Sequence, residues 1–386
     1  MNVSRKSGLY IHIPFCISKC GYCDFYSIID TSLANTFTNA LLDEIRLTAY
    51  SLKTKEIFDT IYIGGGTPSL LKPDQISSIL ETLSDNLTID DNCEITCEIN
   101  PGTLDAGELK ELLALGINRI SIGVQSFNHD ELIKLERIHS VDESVNAISD
   151  CREVGFENIN LDLIFAIPDQ TLSKWNYTLK KALSFLPEHM SVYNLTYEQG
   201  TPFYRKMMDG QIVRADEQKE ISFYTKAHSL LNESGYIHYE VSNYARTESD
   251  FSRHNYKYWQ HIPYLGFGPS AHSFWENSRW ANINSVHEYI TKIRKAETPH
   301  VFNEKLEKHQ LMSEHILLAL RTYQGLSLID FENLFGMNFL NKFARETEKL
   351  IENKLAIVQE EYFRLTDRGI LVCDEILLQF TIEKDS

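Results

Sequence analysis

Six times over the first 240 residues, a short run dense in Ile, Val, Leu or Tyr gives way to a longer stretch of helical periodicity. No other feature of the chain restricts its fold as sharply. The strand candidates are residues 9–13, 60–63, 94–99, 119–124, 158–165 and 190–196, most of them ending at Gly, Pro or a polar turn. Helical patterns fall between them, as at 33–52, 73–83, 109–115 and 172–186. Repeated β–helix units predict a parallel sheet covered by helices, either a partial barrel or a doubly wound sheet. Both bind their ligands just beyond the strand ends.

After residue 240 the character changes. Residues 241–300 are rich in Tyr, Trp, His and Asn with little periodicity, and read as a loop region over the barrel mouth. Residues 301–386 return to helices and end in strand-like pieces at 356–365 and 371–380, the order of a winged-helix module. That module holds 10 Lys and Arg against 15 Asp and Glu, a net of −5, which favours a protein-facing or lid role over DNA reading. The whole chain, at −17, likewise argues against non-specific nucleic-acid binding. No stretch approaches the roughly 20 apolar residues of a membrane span. The beginning of the chain lacks a basic-then-apolar leader, so a cytoplasmic address is expected.

Seven cysteines, three of them within eight positions, do not form a disulfide pattern. Cys16-Ile-Ser-Lys-Cys20-Gly-Tyr-Cys23 follows the first strand directly. Three thiolates at this spacing can wrap one face of a [4Fe–4S] cubane and leave the fourth iron open. The alternative is a structural zinc site with His12 or Asp24 as an improvised fourth ligand, although no second CxxC or HxxxH pair is present. Cys93, Cys97, Cys151 and Cys373 lie among apolar neighbours and read as packing residues.

Tyr10-Ile-His-Ile-Pro-Phe-Cys16, the CxxxCxxC loop and Gly64-Gly65-Gly66-Thr67-Pro68 resemble the radical S-adenosylmethionine (SAM) superfamily. Within it they resemble the branch of the oxygen-independent coproporphyrinogen III oxidases and their haem-chaperone paralogues. The resemblance implies an α/β fold, a partial (β/α)6 barrel, with Cys16, Cys20 and Cys23 on a [4Fe–4S] cluster. SAM would chelate the open iron, and an electron from the cluster could cleave the sulfonium to a 5′-deoxyadenosyl radical. Consecutive glycines let backbone approach a ligand closely, which suits the turn at Gly65 and Gly66. By the same resemblance Tyr10, Gly65, Glu98 and Thr196 line the cluster-bound SAM. Tyr22, Gly66, Thr67, Gln125, Arg137 and Asp162 match positions facing a second SAM or the substrate. The family pattern DLIxGxP is met by Asp162-Leu-Ile-Phe-Ala166-Ile-Pro168, with Ala in place of the glycine.

Two departures separate the sub-branches. The oxidases resemble CxxxCxxCxC, whereas here Phe25 stands at the last cysteine, and they carry a longer segment ahead of the motif. His254-Asn255-Tyr-Lys-Tyr258-Trp259 instead matches the HNxxYW signature of the chaperone branch. Tyr256, Tyr258, Trp259, Phe267 and Trp275 can stack on a porphyrin, and His254, His261 and His272 are candidate axial ligands. The opposing reading is that HNxxYW packs the C-terminal module onto the barrel, with its histidine merely hydrogen-bonded. The expectation is a chaperone that carries haem to apo-haem proteins such as respiratory enzymes, some of them membrane proteins. An electron donor like flavodoxin or ferredoxin would serve the cluster. Coproporphyrinogen oxidase activity is not expected.

Overall fold

A computed structural model of the chain describes residues 6–52 and 55–382, so the expected outer boundaries at residues 1 and 386 lie outside the described residues. Six parallel strands form its centre in sequence order: β1 (Ser7–Ile13), β2 (Ile57–Gly65), β3 (Thr88–Ile99), β4 (Arg119–Gln125), β5 (Ile159–Phe165) and β6 (His189–Asn194). Each is followed by helix, as when Ala34–Leu52 follows β1 and Pro73–Asn86 follows β2. Side chains alternate faces along a strand, and here the alternation holds apart from bulges such as that between Phe58 and Thr60. Leu9, Ile11, Ile61, Ile63, Ile120, Ile122, Leu161 and Leu163 join the main apolar core beneath the helices. The residues between them, Tyr10, Tyr62, Glu98, Arg119, Asp162 and Ser191 among them, give the other face a polar lining. The sheet is the partial barrel that the resemblance implies, one of the two forms the repeat allows, with a polar interior.

Residues 241–300 differ from the loop expectation. β7 (Ile237–Glu240) and β8 (Asn243–Ala245) extend the sheet beyond β6, and β9 (Tyr264–Phe267), β10 (His272–Trp275), β11 (Ser278–Asn282) and β12 (His300–Lys305) extend it beyond β1. Most of these strands have four residues or fewer, too few to show a period. Part of the segment reaches the cysteine-loop end, where Val286 N–H donates to Tyr26 Oη at 3.0 Å, but its HNxxYW portion does not. Its helix Arg253–Trp259 lies against the starts of β1 and β2, at the opposite end of the barrel from the cysteine loop. Glu94 of β3 accepts the Arg253 and His254 backbone N–H groups at 3.2 and 3.1 Å. Arg253 and Lys257 both pair with Asp59 of β2 at 2.7 Å.

The C-terminal module has its own apolar core, including Ile316, Phe331, Phe339, Phe363 and Phe380. Its helices lead into β13 (Leu326–Ser327), β14 (Ala356–Gln359) and β15 (Tyr362–Leu365), a three-stranded sheet in the order β13-β15-β14, as in a winged helix. Residues 371–380 are helical rather than strand-like. Ile370, Cys373, Ile376, Leu377 and Phe380 are all buried at helical spacing, a period hidden by the run's apolar content. Among the described residues no helix is long and apolar enough to cross a membrane.

Candidate functional site

Register places the site. Ile13, the last residue of β1, pairs with Gly65 of β2, so the cysteine loop and the glycine turn leave the sheet side by side. Gly66 N–H donates to the Ile13 carbonyl at 2.8 Å. The left-handed residue of the turn is Gly65, at φ +111. Gly66 is required for another reason: a Cβ there would lie 2.6 Å from the Phe15 carbonyl oxygen. The turn therefore presses on the root of the cysteine loop. That loop is closed by Cys16 N–H to the Ile28 carbonyl at 2.9 Å and Ile28 N–H to the Pro14 carbonyl at 2.7 Å.

One chain of hydrogen bonds connects two of the three sulfurs. Thr67 Oγ1 donates to Cys16 Sγ at 3.6 Å, Asn100 Nδ2 donates to Thr67 Oγ1 at 2.8 Å, and Arg137 Nη2 donates to Asn100 Oδ1. Arg137 Nη1 then reaches Cys20 Sγ at 3.6 Å, and Nη2 also donates to the Gly123 carbonyl at 3.0 Å. Burial disfavours the Arg137 charge, but adjacent Tyr22 and Cys20 outweigh it and hold its pKa above the ordinary value. Burial pushes the Cys23 thiol up to about 11. Asn100 is the residue that sequence reasoning missed. It stands two positions after Glu98, in a motif read only for its carboxylate.

Glu98 accepts from Tyr62 Oη at 2.8 Å and from Gly65 N–H at 3.1 Å, and burial raises its pKa to about 7. Asp162, deeper in the barrel, accepts from Ser121 Oγ and Asn160 Nδ2, both at 2.9 Å. Tyr10 faces inward with Oη 3.0 Å from His12 Nδ1, and Thr196 stands exposed just past β6. Gln125, at φ +65, and Arg137 each keep a buried atom, Oε1 and Nε, without a partner in the chain. Buried polar atoms are rarely left so, and these two fit a site that completes itself with a ligand. Ala166 also has a left-handed φ, +59, where the family pattern has glycine.

The donor set fits a cluster better than zinc. Structural zinc takes four ligands, and the loop supplies three thiolates. A cubane instead takes each thiolate on a different iron. His12 is no spare ligand, because Nε2 lies 2.8 Å from the Tyr26 carbonyl and Nδ1 meets Tyr10. Asp24 is exposed.

The three candidate haem histidines are not brought together. His254 is 1% exposed and sits in the barrel base, with Nδ1 2.9 Å from Thr60 Oγ1 and Nε2 2.8 Å from Tyr258 Oη. Both ring nitrogens are engaged, which removes it as an axial ligand. His261 stacks on Phe274 at 4.3 Å and lies 3.5 Å from Glu314, and His272 stands exposed on β10. Phe267 and Trp275 are buried in the main core and present no open face.

The chain matches the model of the radical SAM superfamily over residues 10–182 and that of the HemN C-terminal domain over residues 306–372. It is 32% identical to the haem chaperone HemW of Lactococcus lactis over 383 residues, 99% of each chain. It is 34% identical to the haem chaperone HemW of Bacillus subtilis, covering 96% of this chain and 98% of that one. Among solved structures it is similar to coproporphyrinogen III oxidase (HemN) of Escherichia coli, described as a radical SAM enzyme. The TM-score is 0.85 at 25% identity, over 98% of this chain and 90% of the other.

Proposed function

Since the chain belongs to the radical SAM superfamily, in the family of the haem chaperone HemW, we propose that it binds haem and delivers it to apo-haem proteins, with a [4Fe–4S] cluster and SAM at the open end of its barrel. Phe25 carries the choice of chaperone over oxidase. It stands two positions beyond Cys23, where the oxidase pattern has a further cysteine, and its side chain is 66% exposed. Respiratory enzymes would be among the recipients, and a flavodoxin or ferredoxin would be the electron donor.

Cys16, Cys20 and Cys23 would hold the cluster. When bound, it supplies an electron to the sulfonium of SAM. Thr67 and Arg137 donate to the Cys16 and Cys20 sulfurs; such bonds stabilise thiolate charge and tune a cluster's potential. Glu98 fixes the Gly65 amide and, with Tyr10 and Thr196, would hold SAM. Gln125 and Arg137, each with a partnerless buried atom, would hold the ligand on the other side with Tyr22, Thr67 and Asp162. The same reading assigns residues 1–240 to the cofactor barrel and 301–386 to a separate module.

The test is an anaerobic haem titration beside a coproporphyrinogen decarboxylation assay with SAM and a reductant. The expected result is haem binding without turnover. Vigorous conversion to protoporphyrinogen would return the chain to the oxidase branch.

A further inference from the structure

Gly64, the first glycine of the turn, is not there for its backbone angle, since only Gly65 of the three is left-handed. A Cβ on Gly64 would lie 2.8 Å from the Tyr62 ring and 3.0 Å from the Glu98 carboxyl. These two side chains therefore close over the turn from neighbouring strands, β2 and β3. Tyr62 Oη donates to Glu98 Oε1 at 2.8 Å, and the Gly65 amide donates to Oε2 at 3.1 Å. A carboxylate has about four acceptor positions, so two stay free for a ligand. Glu98 also keeps part of its surface open, whereas Tyr62 is 8% exposed. The Tyr62 ring has little freedom. It stacks on Tyr10 at 6.2 Å and 29°, with the His254 ring 5.3 Å away at 31°. Ring contacts of this kind fix the direction in which the hydroxyl points.

We propose that Tyr62 is a positioning residue for SAM: its hydroxyl anchors one Glu98 oxygen and so sets the carboxylate, with the Gly65 amide, to accept the ribose hydroxyls of SAM. The inference rests on the reading that Glu98 holds SAM. The HNxxYW segment then reaches the SAM site only indirectly, through the His254 ring against Tyr62.

A hydroxyl that donates to a carboxylate favours its charged form. Burial raises the Glu98 pKa to about 7 against the Tyr62 bond, Asp162 of β5 raises it further, and the Gly65 amide and Arg119 of β4 lower it. Tyr10, Tyr193, Tyr258 and Cys97 also face Glu98 and are neutral, burial pushing each of them up. The nearby His12 and His254 titrate only at about 4 and about 3. SAM should therefore lose affinity as Glu98 takes up a proton below about pH 7.

The experiment measures SAM affinity of the anaerobically reconstituted full-length protein by calorimetry across that range, for wild type, Tyr62→Phe and Glu98→Gln. Any titration of SAM itself is common to all three. In Tyr62→Phe the midpoint should rise by about one pH unit, the equivalent of one lost hydrogen bond to a charged group. Binding at pH 7 should then be about fivefold weaker and return to wild type about two units higher, at full iron content. In Glu98→Gln the step should vanish. An unshifted midpoint in Tyr62→Phe would overturn the inference even if affinity fell uniformly, and so would a step that survives in Glu98→Gln. Absence of SAM binding in wild type with its cluster in place would instead overturn the reading of the site itself.

Discussion

At the base of the barrel His254 engages both ring nitrogens, on Thr60 and Tyr258, whereas at the open end Gln125 Oε1 and Arg137 Nε have no partner within the chain. The base is also pinned by paired charges, Arg253 and Lys257 on Asp59. The open end leaves Ile17 and Ile138 in solvent. The base also buries unpartnered atoms, Ser252 Oγ, Thr96 Oγ1 and Arg119 Nε, but its histidine is held on both nitrogens, whereas the unpartnered groups of the open end include Arg137, which bonds a cysteine sulfur. Buried polar groups that are fully satisfied rigidify a fold. A His- and aromatic-rich signature can therefore be a plug.

The largest effect that would break this comparison is at Gly66. In Gly66→Val the new Cβ meets the Phe15 carbonyl, a backbone atom that cannot swing aside. The cysteine loop should be displaced and cluster iron should fall to about a tenth of wild type or less, as overpacking forces backbone shifts. Full iron content, measured after anaerobic reconstitution, would show that the turn does not support the loop.

At the base, His254→Ala should destabilise the fold by about 3 kcal/mol, because it leaves a cavity and two buried hydroxyls unpaired. Denaturant unfolding would read the loss, and cluster content should not change. Burial holds the His254 pKa at about 3, against about 6.5 in an unfolded chain. The unfolded state then binds the extra proton between those values, so the contribution of His254 is complete above pH 6.5 and is lost as pH falls toward 3. Replacing His254 by Gln should flatten that acid limb by up to about 1.4 kcal/mol per pH unit. An unchanged limb would mean that His254 is not buried and neutral.

A smaller effect at the open end sharpens the contrast. Asn100→Ala should break the link between Thr67 and Arg137, lowering SAM affinity by about 1–2 kcal/mol with iron content preserved. A SAM titration of the reconstituted protein that matched wild type would remove Asn100 from the site.

What was legible in the sequence was local. Each β–helix unit carries its own period, and the cysteine loop and glycine turn lie at strand ends, so the parallel sheet and its ligand-binding end could be read directly, while the barrel form came from the resemblance. The plug could not, because His254 and Thr60 are 194 positions apart and no spacing records their contact. Short strands such as β9 and β10 escaped for want of a period, and residues 371–380 because an apolar run masked a helical one. Asn100 was visible, but its role follows only from the positions of Thr67 and Arg137. Ala166 was visible as a departure from the glycine of the family pattern, and the structure places it at a backbone angle that favours glycine.

The central claim is that the cysteine end alone holds the cofactor while the HNxxYW end is structural. Iron and sulfide per chain, after anaerobic reconstitution, should be compared between the variant with Cys16, Cys20 and Cys23 all changed to Ala and His254→Ala. The account predicts about four irons in His254→Ala and essentially none in the cysteine variant, since each thiolate completes one iron's coordination. A full cluster in the cysteine variant, or loss of the cluster from folded His254→Ala, would contradict it.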